Sequence, residues 1–275
     1  MADEKKNPVL SLEETLSKLP APVASTNLAA ELEHETKLPV LVVLDDDPTG
    51  TQTCHGINVL TVWDSDTLEA EFRSGHRGFF ILTNSRALPT PQARELIREI
   101  TTAVKQAAAQ TGNSFEVVLR GDSTLRGHFP DEPEVAEQVT GKADGWILAP
   151  FFRQGGRYTI NDVHYVVEGG TNLVPAAQTP FAKDATFGYK NSNLADYVVE
   201  KSKGSISADR VKSVSLEDIR VGGPAKVTEK LLSFEEGTVI VLNAVVDTDM
   251  EIFVQGLLKG TCSENIVSFF ALTKI

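Results

Sequence analysis

Short apolar runs that each break off into a polar loop constrain this chain more than any other feature. Leu41–Leu44 leads into the loop Asp45–Gly56, and Phe79–Thr83 leads into Asn84–Pro89. Val117–Leu119 leads into Arg120–His128, and Trp146–Ala149 leads into a glycine-rich stretch around Gly155 and Gly156. Continuous apolar runs of this length, without polar alternation, are the pattern of strands covered on both faces. Ile57–Trp63 and Val239–Leu242 read as two more strands. Between the second and third loops lies a strong helix pattern, with Thr90 as N-cap, Pro91 at the first helical position, and Ala93, Leu96, Ile97, Ile100, Val104 and Ala108 on one face. Asp247 is placed to cap a later helix presenting Met250, Phe253, Val254 and Leu257. Strands alternating with helices predict an α/β layered domain with a largely parallel sheet flanked by helices.

Three segments follow from this reading. Residues 1–37 are acidic and mixed, and form an N-terminal arm in which Ser11 and Glu14 make a capping box for a short helix ended by Pro20 and Pro22. Residues 38–258 form the body. Within it, Phe151–Ser192 is rich in Gly, Pro, Asn and Thr and reads as a long irregular, functional loop. Residues 259–275 form a divergent tail whose Ile266, Val267, Phe269, Phe270 and Leu272 need a surface to cover them.

Charge narrows the functional classes. A net charge of −12 argues against sequence-independent nucleic-acid binding and against adhesion to an anionic membrane. It leaves room for a small anionic ligand, because a few arginines can dominate one pocket. Cys54 and Cys262 do not make a disulfide framework, no apolar run reaches the ~20 residues of a membrane span, and Met1–Asn7 is not a secretory signal. A cytoplasmic protein is the expectation.

Four loops carry the candidate chemistry. Leu44–Thr53, LDDDPTGTQT, sets three carboxylates directly after a strand, where open α/β sheets bind ligands. Thr49 adds a hydroxyl and Gly50 permits close backbone approach. The plain alternative is an acidic turn, although three adjacent carboxylates repel one another and a turn gains little from all of them. Arg120–His128, RGDSTLRGH, flanks Asp122, Ser123 and Thr124 with two arginines, whose planar forks suit a carboxylate or phosphate. A loop stapled by an Arg–Asp pair is the alternative. Thr83–Pro89 offers Ser85 and Arg86, and Ala149–Val166 offers Arg157, Thr159 and His164, a lone histidine of the kind that is usually structural.

Read alone, Asp45, Asp47 and Thr49 fit the DxDxT opening of haloacid-dehalogenase-like phosphatases, with Asp45 as nucleophile and Asp47 as general acid. No downstream acidic pair completes that pattern. Taken in order, DDDPTGTQT, TNSRAL, RGDSTLRGH, APFFRQGGRYT, HYV, TPFAKDATFGY and SNL resemble the four-carbon acid sugar kinase family over about Pro39–Leu258. The resemblance implies a sugar-acid-binding N-terminal domain, here 38–258, and ATP-dependent phosphorylation of the terminal hydroxyl of a threonate, an erythronate or a 3-oxo derivative. It implies ATP and Mg²⁺ as cofactors, held by a C-terminal nucleotide-binding domain that this chain does not reach, and it makes a homodimer reasonable.

The resemblance also carries site roles. Asp46 or Asp47 would accept the hydroxyl proton, and Arg86 and Arg126 would hold the substrate carboxylate. Thr49, Gly50, Ser85, Asp122, Ser123, Thr124, Gly127, Arg157 and His164 would line the substrate site. Arg120, Arg153 and His128 depart from the family's usual Lys, Pro and Asn. Three classes therefore stand open: a kinase's substrate-binding half, a sugar-acid-binding module without catalysis, and a DxDxT-type phosphatase.

Overall fold

The computed structural model describes residues 7–24, 26–35, 38–261 and 269–273, the last five as backbone. In chain order the strands are β1 (Leu10–Ser11), β2 (Val40–Asp45), β3 (Val59–Leu60), β4 (Gly78–Leu82), β5 (Phe115–Arg120) and β6 (Gly145–Ala149). They continue as β7 (Arg157–Ile160), β8 (Val163–Glu168), β9 (Asn172–Pro175), β10 (Val211–Val214), β11 (Thr238–Leu242) and β12 (Phe269–Thr273). The helices are α1 (Leu12–Ser17), α2 (Leu28–His34), α3 (Ser65–Arg73), α4 (Thr90–Thr111) and α5 (Asp131–Thr140), then α6 (Leu194–Lys201), α7 (Leu216–Arg220), α8 (Gly223–Leu232) and α9 (Asp247–Thr261).

Eight strands pair in the order β10-β11-β6-β12-β5-β2-β4-β3, and every neighbouring pair is parallel. The expected parallel α/β sheet is therefore present. Its double covering is visible residue by residue, because successive strand side chains point to opposite faces. Val42, Leu44, Phe79, Ile81, Val117, Leu119, Trp146, Leu148, Val239 and Val241 pack with α3, α4, α5 and α6. Ile147, Ala149, Ile240 and Leu242 pack on the other side with Ile219 of α7, Val227 and Leu231 of α8, and Ile252 and Phe253 of α9. Val43, Phe80 and Val118 are covered on that second face by Cys54 and Ile57 from the loop after β2. Burying each such aliphatic side chain contributes about 1.5–3 kcal/mol, which is why these runs dominate the fold.

Several expectations need correction. Phe151–Ser192 is not an irregular loop. It folds into β7, β8 and β9, an antiparallel sheet to which β1 adds in the order β1-β9-β8-β7. The N-terminal segment is likewise no loose arm: Leu10, Leu12, Leu16 and Leu19 pack against Ile160, Tyr165 and Leu173. Ser11 caps α1 through the Glu14 amide at 3.4 Å, as expected. Thr90 does not cap α4. Pro89 holds that position, and the Thr90 hydroxyl meets His128 Nδ1 at 3.2 Å. Of Ile57–Trp63, only Val59–Leu60 pairs as a strand. The stretch from 259 onward is no appendage, because α9 runs to Thr261 and β12 stands mid-sheet between β5 and β6. Ile266 and Val267, expected to seek cover, lie outside the described residues, as do 1–6, 25, 36 and 37 of the arm.

Strand order positions the site. From β2 the chain builds β3 and β4 on one side of that strand, then crosses to β5 on the other. Such a switch point opens a crevice at the carboxyl ends of the strands, and the loops after β2, β4, β5 and β6 all emerge there.

Candidate functional site

The crevice is a cleft of about 550 Å³ including its open mouth, lined by Asp46 after β2, Arg120–Asp122 and Leu125–Phe129 after β5, Glu132 and Pro133 of α5, Leu148 and Pro150 around the end of β6, and Tyr197 of α6. Arg120, the last residue of β5, lines it and is anchored beneath by Asp45, the last residue of β2. Arg120 is 1% exposed and donates from Nη1 to Asp45 Oδ1 at 2.9 Å. Burial pushes the Asp45 carboxyl up to about 6 even though Arg120 pulls it down. Gly50 is required directly above this pair, because a Cβ there would overlap the Asp45 carboxylate.

Beside the Asp45–Arg120 pair, Arg86 and Asp46 form a two-pronged pair. Arg86 Nε donates to Asp46 Oδ2 at 2.9 Å and Nη2 to Asp46 Oδ1 at 2.5 Å, while Nη1 reaches Asp47 Oδ2 at 3.2 Å. The geometry follows from local chain path: the Arg86 amide bonds the Asp46 carbonyl at 3.2 Å, and Asn84, at φ 51°, turns the chain into that register. Asp46 is 4% exposed, and its carboxyl is raised by burial against the opposing pull of Arg86. For Asp47, burial is outweighed by the Thr49 hydroxyl and amide and by Arg86, and its carboxyl is held low. Only one of the two candidate bases, Asp46, lines the cleft.

The loop after β5 is built for a fixed shape. Leu125 takes φ 66°. Asp122 accepts from Arg126 Nε at 2.6 Å and from the Thr124 hydroxyl. Burial would raise the Asp122 carboxyl, but Thr124, Arg126 and Arg86 hold it low. From behind, Tyr189 Oη donates to the Thr124 carbonyl at 2.8 Å and Tyr197 Oη to the Leu125 carbonyl at 3.1 Å. His164 Nε2 bonds the Ser123 carbonyl at 2.7 Å, and its Nδ1 meets the Thr159 hydroxyl at 3.0 Å. His164 is fully buried, and burial pushes its ring down to about 4. It is a neutral strut under this loop rather than a group facing a ligand.

Two cations stand at the rim. The guanidinium carbons of Arg126 and Arg157 lie 5.2 and 5.5 Å from the centre of the Phe181 ring, within cation–π range. Arg126 is paired with Asp122. Arg157 makes no direct ion pair among the described residues; its Nη1 donates to the Gly155 carbonyl, and its buried Nε has no hydrogen-bond partner. Burial disfavours the Arg157 cation; the Asp122 carboxylate partly offsets this, and the neighbouring Arg126 charge adds to it.

The sequence-selected residues thus fall into three groups. Asp46, Asp122, Arg126 and Gly127 line the cleft. Arg86, Asp47, Thr49, Gly50, Ser85, Ser123, Thr124 and His164 hold its walls by the contacts above, with Ser85 fully buried against Thr83. Arg157 stands beside Arg126. Arg86, expected to take a ligand carboxylate, already directs three of its five N–H donors to Asp46 and Asp47. Glu132 went unselected, since an acidic residue in the first turn of a helix is ordinary capping chemistry. The phosphatase arrangement is not formed: Asp45, which would be its nucleophile, is 1% exposed and bound to Arg120. Among the described residues no three His, Cys, Asp or Glu side chains are grouped to hold a metal ion, and no helix is long and apolar enough to cross a membrane.

Comparison with known proteins gives a consistent result. A family profile described as a sugar-binding N-terminal domain matches residues 41–270. No curated protein matches the sequence. Among solved structures, the chain is similar to a Bordetella bronchiseptica domain of unknown function (DUF1537), a domain-swapped dimer with bound citrate. Identity is 19% and TM-score 0.61, over 86% of this chain and 55% of that one. A Haemophilus influenzae protein of the same DUF1537 class is similar at 16% identity and TM-score 0.58, over 85% of this chain and 53% of that one. The chain spans a little over half the length of these solved relatives.

Proposed function

The chain belongs to the sugar-binding N-terminal domain family, as its loop motifs led us to expect, and from that premise we propose that it binds a four-carbon sugar acid as the acceptor half of an ATP-dependent kinase. The observation that carries this reading is a cation short of direct partners: Arg157, half-buried and offset only by the Asp122 carboxylate with which it makes no ion pair, stands beside Arg126 next to a cleft walled by Asp46. A ligand carboxylate at the two arginines relieves an unfavourable charge, and charge-assisted bonds of this kind are the strong ones. The ligand's hydroxyls then extend toward Asp46. The citrate of the Bordetella relative, itself a hydroxylated acid, supports a ligand of this class, and that relative's dimer supports a homodimer here.

Within this reading Asp46 accepts the proton of the reacting hydroxyl. Each of its oxygens keeps a second lone pair after bonding Arg86, and its raised affinity for a proton suits a base. Asp47 and Arg86 orient it. ATP with Mg²⁺ would supply the transferred phosphoryl group. The residues of this cleft do not fit a polyphosphate, because the helix N-terminus beside it, that of α5, carries the carboxylates Asp131 and Glu134, which repel phosphate. Nucleotide binding is therefore assigned to no residue of this cleft.

Thermal-shift titrations test the proposal through linkage. Threonate or erythronate should raise the melting temperature, and ATP with Mg²⁺ should not. Stabilisation by inorganic phosphate but by neither sugar acid would overturn it in favour of a phosphate site.

A further inference from the structure

Glu132 is the cleft side chain that the proposed chemistry leaves unused. It lines the cleft together with Asp46, His128 and Tyr197, and it is 9% exposed. The nearby Ser85 hydroxyl favours its ionised form, against burial. Its Oε1 has no hydrogen-bond partner among the described residues. A buried polar oxygen is rarely left in that state unless something else completes it.

The surroundings define what can complete it. The charges acting on Glu132 are Asp46, Arg86 and Asp131. Arg86 is already taken by Asp46 and Asp47. On the facing helix α4, Arg94 is taken by Asp131 and Glu134. His128 is bonded to the Ser85 carbonyl and Thr90. Arg120, which also lines the cleft, is paired with Asp45 and keeps only its Nε without a partner, so a ligand carboxylate would find no cation here free of a carboxylate and would face Asp46. A ligand hydroxyl finds a match: a neutral carboxyl offers one donor and spare acceptor capacity, and a hydroxyl offers the same. Burial keeps the proton on Glu132 up to a pH of about 8.

Building on the sugar-acid reading, we propose that Glu132 is a specificity-determining residue that hydrogen-bonds a hydroxyl of the bound acid and so rejects four-carbon acids lacking it. A site that pairs a ligand hydroxyl discriminates strongly, because the analogue without it leaves the protein group unpaired.

The test compares wild type with Glu132→Gln and Glu132→Met by calorimetric titration with threonate and by NMR-detected titration with butyrate, which keeps the carboxylate and has no hydroxyls. Met matches the volume and removes a buried polar group, so this variant should melt no lower than wild type. Threonate should bind Glu132→Met at least tenfold more weakly and Glu132→Gln within threefold of wild type, while butyrate binding stays within twofold. Threonate binding to Glu132→Met within threefold of wild type would overturn the assignment, and so would equal weakening of both ligands. If wild type binds neither threonate nor erythronate, the sugar-acid reading itself fails and this inference falls with it.

Discussion

Replacing Glu132 by Gln gives the sharpest test of how the cleft is held, because its effect should depend on pH in a direction fixed by burial. In the folded chain the carboxyl is raised from 4.5 to about 8, chiefly by desolvation. The unfolded chain ionises first as pH rises. Folding therefore keeps the full contribution of this group below about pH 4.5 and loses it progressively up to about pH 8. The slope is about 1.4 kcal/mol per pH unit, so wild type should lose about 3 kcal/mol from this one group between pH 5 and pH 7. Gln is close to isosteric and does not titrate. Urea denaturation of both proteins at pH 5, 6 and 7 isolates the group, since the other titrating groups are common to the two. The stability of Glu132→Gln relative to wild type should rise by about 3 kcal/mol across that range. A gap constant to within about 0.5 kcal/mol would mean that Glu132 is ionised and solvated, and would refute the buried, neutral carboxyl.

Three further outcomes follow from the same geometry. His164 is depressed from 6.5 to about 4 by burial, so its sign is opposite: wild type should lose up to about 3 kcal/mol as pH falls from 6.5 toward 4, and His164→Asn should lack that loss in denaturation curves. Gly50→Ala places a methyl group on the Asp45 carboxylate and should cost on the order of 3 kcal/mol by disrupting the buried Asp45–Arg120 pair; a loss below about 1 kcal/mol would show that the loop relaxes freely. Arg157→Met removes a cation that burial disfavours and that makes no direct ion pair among the described residues, so it should leave the urea midpoint unchanged or higher while weakening threonate binding at least tenfold in calorimetry.

Much of this was legible in the sequence, for physical reasons that also explain the rest. The strands β2, β4, β5, β6 and β11 could be read because both of their faces are covered, which leaves an unbroken apolar run. Strand β10, with Lys212 and Ser213, sits at the sheet edge and lacks that run. The strands β7 to β9 pair in a small antiparallel sheet, and being short and set between glycine turns at Gly155–Gly156 and Gly169–Gly170 they resemble loop. The middle position of β12 depends on pairing with β5 and β6, more than a hundred residues earlier, which local pattern cannot reveal. At the site, the loops carrying Asp46 and Arg126 announced themselves through charge and position after strands. How Arg86 divides its donors between Asp46 and Asp47 depends on contacts across 40 residues. Likewise, the burial of Glu132 depends on helices and loops folding over a residue that reads locally as an exposed helix start.

The most direct test of the central claim is a crystal structure of the chain soaked with threonate at saturating concentration. The ligand carboxylate should lie within hydrogen-bond distance of Arg126 and Arg157, with a hydroxyl beside Asp46. Threonate bound elsewhere, or a cleft without it while calorimetry registers binding, would contradict the account.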